Sequence, residues 1–378
     1  MINSMTNETH TSTTNAARSD DRSTLLTGVA IGAVAAAAAA AALFLRSRSR
    51  SVPARGVARS SAHGVDTTNV FTAGNVAVIT GAGSGIGRET ARQLAALGMK
   101  LVLADIDEAD LESAKEECNA LADGAAVSFV LDVSDFEAVL RLKQFAFATF
   151  GAVHFLMNNA AVQTNGKCGP YEHMDRWQRV LAVNLMGPLN GVHAFSEAMI
   201  AQDVNAVIVN TGSKQGITFP PGDSAYNVSK AGVKALTEAL QHKLRNVPEC
   251  KVNAFLLVPG WTITMISTKG KRWLQGDAFD PATAQDERSY DGLFDPDVAR
   301  QKLEARGAWP ASKTVSMMIE SVRAGKPFYI ICPDNETSKE MDDGRMQWAA
   351  DDLILRRPPL SRWHAEYKEE YKEVSSRF

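Results

Sequence analysis

The chain has 378 residues, 45% hydrophobic and 22% charged, with a formal net charge of −3. This is the composition of an ordinary globular protein with a sizeable core, longer than one average domain, and the charge balance gives no reason to expect nucleic acid as a partner. The four cysteines (Cys118, Cys168, Cys250 and Cys332) are scattered without a C-x-x-C pair or a His spacing that suggests zinc; no metal is expected, and free thiols in a reducing compartment are the simplest reading.

Residues 1–24 are rich in Thr, Ser and Asn without an apolar period, and read as a disordered N-terminus. Leu25–Leu45 is uncharged, and as a helix it would reach roughly 30 Å, about the thickness of a bilayer's hydrocarbon core. Ten of its 21 residues are Ala, which contributes little apolar surface, so the span is marginal and a buried Ala-rich helix is the alternative. The flanks favour a membrane. Arg46, Arg48, Arg50, Arg55 and Arg59 follow, and no acid stands between Arg22 and Asp66. By the positive-inside rule the rest of the chain then faces the cytosol. A cleaved signal peptide fits less well, because its basic end should come first. Without the anchor the protein would be cytoplasmic. Residues 46–70 read as a basic, Ser-rich tether.

From here the pattern changes. Val76–Thr80, Lys100–Asp105, Val127–Val130, Phe155–Met157, Val207–Asn210, Val252–Leu257 and Pro327–Ile331 are short apolar runs, with helical spacing at Arg88–Leu97, around Leu111–Leu121 and between the later runs. Strands alternating with helices predict an α/β fold, a doubly wound parallel sheet of the Rossmann type in a single domain. Beyond about residue 335 the chain turns charged and aromatic and contains Arg356-Arg357-Pro358-Pro359; residues 336–378 read as an extension packed on that domain.

Thr80-Gly81-Ala82-Gly83-Ser84-Gly85-Ile86-Gly87 sits where the first strand meets a helix. Glycine there permits positive φ and leaves no Cβ between the backbone and a pyrophosphate, and the helix start offers unpaired N–H groups and a positive dipole end to it. An acid, Asp105, lies 18 residues beyond Gly87 at the end of the second strand, where a carboxylate can accept from ribose hydroxyls and would repel the 2′-phosphate of NADP. No Arg or Lys adjoins it in sequence, since Ile106 and Asp107 follow. NAD is therefore expected ahead of NADP.

T-G-x-x-x-G-x-G resembles the fingerprint of the short-chain dehydrogenase/reductase family, in the spacing of its single-domain members, and the resemblance covers about residues 71–335. Further matches follow in the family's order. Asp132-Val133 resembles the pair that contacts adenine. Asn158-Asn159-Ala160 resembles N-N-A-G with Ala161 in place of Gly, and implies Asn159 near the adenosine ribose. Pro259-Gly260-Trp261-Thr262-Ile263-Thr264 resembles P-G-x-V-x-T near the nicotinamide, with Thr262 where an aliphatic residue is usual. The expected cofactor contacts are thus Gly81, Ser84, Gly85, Ile86, Gly87, Asp105, Asp132, Val133, Asn159, Pro259, Gly260 and Thr262, joined by Tyr226 and Lys230.

The chemistry is expected at Ser213 and at Tyr226-Asn227-Val228-Ser229-Lys230. A bare Y-x-x-x-K is usually a surface pair on one helix face. After the other matches it resembles the family's catalytic pair, with Ser213 holding the substrate oxygen and Asn184 as the fourth member, positioning Lys230 through a water. A free tyrosine has a pKa of about 10, and a neighbouring ammonium together with the positive nicotinamide ring of the oxidised cofactor predicts one well below that. The resemblance implies an NAD(P)-dependent enzyme acting on CH–OH groups, interconverting a secondary alcohol and a ketone. A non-catalytic NAD-binding sensor or scaffold is the alternative; lyase or epimerase chemistry is disfavoured by the fingerprint spacing. Trp261, Met265, Trp273, Phe279, Tyr290, Phe294 and Trp309, in the family's variable region, either line a pocket or pack as a lid, and Gln163 and Gln215 flank its mouth. The expected partners are a small-molecule alcohol or ketone, a membrane through 25–45, and further copies of the chain.

Overall fold

Seven apolar runs become strands: β1 (Val76–Thr80), β2 (Lys100–Asp105), β3 (Ala126–Val130), β4 (Phe155–Asn158), β5 (Ala206–Thr211), β6 (Val252–Val258) and β7 (Tyr329–Ile331). The computed structural model describes residues 65–164, 168–266, 269 and 296–376. Each pairing between the strands is parallel, in the order β3-β2-β1-β4-β5-β6-β7. The order reverses between β1 and β4, and open α/β sheets bind their ligands outside the carboxyl ends of the strands at such a switch.

β1, β5 and β6 are buried along their whole length, as expected for a sheet covered on both faces. Alternate residues serve opposite layers. Ala77, Ile79, Leu101 and Leu103 pack with Leu94 of helix α1 (Gly85–Ala96), Leu111 of α2 (Glu108–Leu121) and Met318 of a later helix, Ala311–Arg323. Val78, Val102 and Ile208 pack with Leu142 of α3 (Phe136–Phe150) and with Phe195 and Leu240 of two further helices. Those helices are α5 (Gly187–Ala201), which continues from α4 (Met174–Leu181), and α7 (Ser224–Arg245), which follows the single turn α6 (Gln215–Thr218). The rest are α8 (Pro296–Ala305), α9 (Ala311–Arg323), α10 (Lys339–Ile354) and α11 (Lys368–Ser375).

Helix starts follow the capping rule. Asp107, Asp135, Asp223 and Ser338 each accept from a backbone N–H in the first turn of α2, α3, α7 and α10. Helix α1 is different: Ser84 makes no side-chain cap bond, and no acid stands in its first turn.

Several sequence expectations shift. The disordered N-terminus, the candidate span Leu25–Leu45 and the tether up to residue 64 lie outside the described residues, as do Trp273, Phe279, Tyr290 and Phe294. Among the described residues no helix is long and apolar enough to cross a membrane. The tether was expected to run to residue 70, but Thr67 and Val70 are buried and Arg323 Nη2 donates to the Phe71 carbonyl; the ordered domain takes in these residues because they cover the end of α9. Strand β7 starts at Tyr329 rather than Pro327, since proline has no N–H for a ladder. The C-terminal extension is folded: Trp348 of α10 is buried, its Nε1 donates to Ser361 at 2.8 Å, and the Arg357 guanidinium lies 3.9 Å from its ring centroid. The four cysteines are free and buried.

Candidate active site

The turn after β1 is built for close approach. Gly81 and Gly85 have φ of +66° and +54°, a region in which only glycine is unstrained. A Cβ at Gly87 would sit 2.0 Å from the Gly81 carbonyl oxygen, so α1 can turn back against the loop only if that residue is glycine. Asn159, at the end of β4, fixes the loop from the other side, with Nδ2 donating to the Thr80 carbonyl at 3.2 Å. Asp105 ends β2, where its Oδ2 accepts from Gly83 N at 2.9 Å and its Oδ1 from Asp107 N at 3.0 Å. The carboxylate therefore shapes the glycine loop as well as facing the cleft.

After β3, Asp132 accepts from Ser134 N and Oγ and pairs with Arg179 Nη1 at 2.7 Å. Burial opposes its ionisation, but the Ser134 hydrogen bonds and the Arg179 charge outweigh it and hold the carboxyl below its ordinary value.

Tyr226 and Lys230 lie in the first turns of α7, which Asp223 caps by accepting from Tyr226 N at 3.1 Å. Four residues apart, they share a face. Lys230 Nζ lies 5.6 Å from the Tyr226 ring centroid and donates to the Thr211 carbonyl at 2.9 Å. Ser213, after β5, stands beside the Tyr226 phenol and favours its ionised form, and its Oγ accepts from Gln215 N at 3.1 Å. Asn184 sits in a π turn, Ala182–Met186, between α4 and α5, a feature often found at functional sites. Its Nδ2 donates to the Val162 carbonyl and its Oδ1 accepts from Val162 N, both at 2.8 Å, and Nδ2 also reaches Ser229 Oγ at 3.2 Å. The Lys230 ammonium meets the Thr211 carbonyl directly, while Asn184 holds Val162 at the lining of the cleft.

In the protein alone the tyrosine pKa is raised rather than lowered. Burial pushes Tyr226 up to about 12, with Asp223 adding to the rise and only Ser213 opposing it. Burial also pulls Lys230 down to about 8. Desolvation disfavours charge on both groups, and at its distance from the ring the ammonium does not reverse it.

These groups line one cleft of about 780 Å³ running along the carboxyl ends of the strands. Gly81, Ser84, Gly85, Ile86, Asp105, Asp132, Val133, Asn159, Ser213, Tyr226, Lys230, Pro259, Gly260 and Thr262 all face it, as do Gln163 and Gln215; Gly87 and Asn184 stand behind the lining. The polar side chain of Thr262 is absorbed by the Gly260 carbonyl at 3.3 Å and Thr314 Oγ1 at 3.2 Å. Sequence reasoning missed Arg179, Lys214, Lys269, Arg306 and Glu336, which also line the cleft. Lys269 lies 2.7 Å from Asp110 and 3.7 Å from Asp107, so a lysine does stand near Asp105 in space. Nothing in the local sequence signals it; only Lys214, next to Ser213, was within reach of a motif.

The cleft fits a dinucleotide. The α1 N-terminus, without a side-chain cap or an acid, leaves backbone donors for an anion at the lining residues Ser84–Ile86, and Asp105 faces the same cleft at the end of β2, where a carboxylate can accept from ribose hydroxyls.

The short chain dehydrogenase family matches residues 75–275. SadH of Mycobacterium tuberculosis, named an oxidoreductase, is 36% identical over 243 residues, covering 64% of this chain and 81% of that protein. The cyclohexanol dehydrogenase of an Acinetobacter species is 36% identical over 164 residues, 43% of this chain and 64% of that protein. A short-chain dehydrogenase/reductase from Burkholderia phymatum, solved in complex with NAD, superposes with a TM-score of 0.63 at 34% identity, covering 76% of this chain and 97% of that one. With the parallel sheet, the glycine turn and the Tyr–Lys pair in place, the chain belongs to the short-chain dehydrogenase/reductase family of NAD(P)-dependent oxidoreductases.

Proposed function

We propose that the enzyme interconverts a secondary alcohol and a ketone with NAD(H), and that Tyr226 carries the hydroxyl proton. The observation behind this reading is the buried Tyr226 phenol, beside Ser213 and backed by Lys230, in the same cleft as the glycine turn. When bound, the nicotinamide supplies a hydride donor or acceptor. Residues of the chain do the rest. Ser213 holds the substrate oxygen at hydrogen-bonding distance from Tyr226. In reduction the neutral phenol, the stable form of a tyrosine whose pKa is raised, donates its proton to the nascent alkoxide. In oxidation it must first lose that proton, and the Lys230 charge favours its doing so. Lys230, bound to the Thr211 carbonyl, is thereby fixed beneath the ring, and Asn184 fixes the 160–162 lining from behind.

NAD is the preferred nucleotide in this reading, because Asp105 faces the cleft and the positive charge of Lys269 is matched by Asp107 and Asp110. The relative from Burkholderia phymatum carries NAD. Anchoring through Leu25–Leu45 rests on that segment's length and its arginine flank alone; it predicts that the full chain sediments with membranes and is released by detergent. The activity is tested with a panel of secondary alcohols and ketones, cyclohexanol and cyclohexanone included, followed by NADH and NADPH absorbance. Turnover undiminished in Tyr226→Phe would exclude this chemistry.

A further inference from the structure

Lys214 follows Ser213 directly and lines the cleft, yet its side chain is only 18% exposed. Its Nζ lies 3.2 Å from Asp334 Oδ2 and 2.6 Å from Asp342 Oδ2, and each of these carboxylates is 6% exposed. The first contact is a hydrogen bond; the second is an ion pair by distance, lying off hydrogen-bond alignment. Asp334 follows β7 and Asp342 is in the first turn of α10. Asp342 therefore belongs to the C-terminal extension, which no sequence motif connected with the chemistry.

Asp334 does more than neutralise Lys214. The same Oδ2 accepts from Trp261 N at 3.0 Å, and Oδ1 accepts from Glu336 N at 3.1 Å. A Cβ at Gly260 would lie 2.6 Å from Oδ2, so glycine at 260 is what lets the carboxylate come so close. One carboxylate thus grips both the segment carrying Ser213 and the segment leaving β6 that lines the cleft at Gly260 and Thr262. A buried cation needs partners, but removing charge and partners together is often neutral or stabilising; buried ion clusters are weak evidence for stability and better attested where they fix one geometry. Two carboxylates facing a single ammonium also leave Lys214 unavailable as a binding site for an anionic substrate.

We propose that Asp334, Lys214 and Asp342 are positioning residues, and that through them helix α10 holds the Ser213 segment and the Gly260–Thr262 segment in register with each other. The proposal builds on the reading of Ser213 as the group that holds the substrate oxygen. Misplacing such a group by about 1 Å can cost about a hundredfold in rate, so the C-terminal extension would contribute to turnover without touching substrate.

The test compares Lys214→Met, Lys214→Arg and Asp342→Asn in the full chain. Amide hydrogen exchange is read by mass spectrometry, with kcat and KM measured on whichever alcohol of the panel gives NADH. In Lys214→Met, exchange should rise about tenfold or more in peptides covering 212–218 and 259–263, with β4 and β5 as protected as in the parent. The same variant should lose about tenfold or more in kcat, while KM for NAD changes by less than about threefold. Lys214→Arg, which keeps the charge, should restore protection and most of kcat. Asp342→Asn keeps the Asp334 contact, so it should fold even if Lys214→Met does not, and should loosen 212–218 to a smaller extent. Unchanged exchange at 212–218 in Lys214→Met, or in Asp342→Asn should Lys214→Met not fold, would overturn the proposal. So would a rise spread evenly over the sheet, which marks a purely structural role. The exchange arm does not depend on activity: loosened loops in a protein whose parent oxidises no alcohol would sink the proposed reaction and leave the clamp standing.

Discussion

Lys230 gives the sharpest quantitative prediction. Its ammonium is buried, with the Thr211 carbonyl as acceptor, and burial lowers its pKa from 10.5 to about 8. Between those two values the folded protein binds fewer protons than the unfolded chain, so stability rises with pH across that window, and below it the cost of the buried charge is carried in full. At about 1.4 kcal/mol per pH unit, that cost is about 3 kcal/mol. Lys230→Met removes the titrating group while keeping most of the side-chain volume, but leaves the Thr211 carbonyl without its donor, a loss of about 1–3 kcal/mol. Near pH 7 the two nearly cancel, so a single measurement there says little. The pH dependence is diagnostic: relative to Lys230→Met, the parent should gain about 3 kcal/mol between about pH 7 and about pH 10.5. Other groups that titrate in this range are common to both proteins and drop out of the difference, and Tyr226, at about 12, lies above it. Urea unfolding of both proteins at half-unit steps of pH gives the curve. A difference that does not vary with pH would refute the buried charge, and one that grows in the mutant's favour would reverse its sign.

Three further outcomes are expected. Tyr226→Phe should abolish turnover while leaving NAD affinity within about threefold, since the ring still fills its space; calorimetric titration beside the rate assay separates the two. For ketone reduction, the alkaline fall in kcat should begin near pH 8, where Lys230 loses its charge, because Tyr226 stays protonated up to about 12; a profile flat to about pH 10 would detach Lys230 from the reaction. Asp105→Ala removes the acceptor of the Gly83 and Asp107 amides as well as the cleft carboxylate, so it should weaken NAD binding about tenfold or more and narrow the preference over NADP; unchanged NAD affinity would mean that the carboxylate serves only the loop.

The sheet was legible because its inner strands are buried on both faces and show as uninterrupted apolar runs, such as Val76–Thr80 or Val252–Val258. What was not legible lay at its margins. Thr67 and Val70 look like the end of a Ser-rich tether, and only the packing of Arg323 and Phe71 at the end of α9 makes them part of the core. The C-terminal extension, read from its charge and its aromatics, owes its folding to pairs close in sequence but opaque as a pattern, among them Trp348 with Ser361 and with Arg357.

The site divides along the same line. Gly81, Gly85, Tyr226 and Lys230 are legible because their geometry is local: a turn needing positive φ, and two side chains one helical turn apart. Lys269 near Asp107 and Asp110, Arg179 on Asp132, and Asp334 and Asp342 on Lys214 are products of folding over separations that no spacing rule covers. The tyrosine pKa of the protein alone was not legible for a related reason. Spacing brings a cation to the phenol, but it says nothing of how much water leaves with both, and here desolvation outweighs the charge. A site whose resting tyrosine is a firmly neutral phenol is ready to give a proton. In the proposed reaction that state serves reduction directly, while oxidation depends on positive charge gathered around Tyr226, of which Lys230 supplies the part that belongs to the chain.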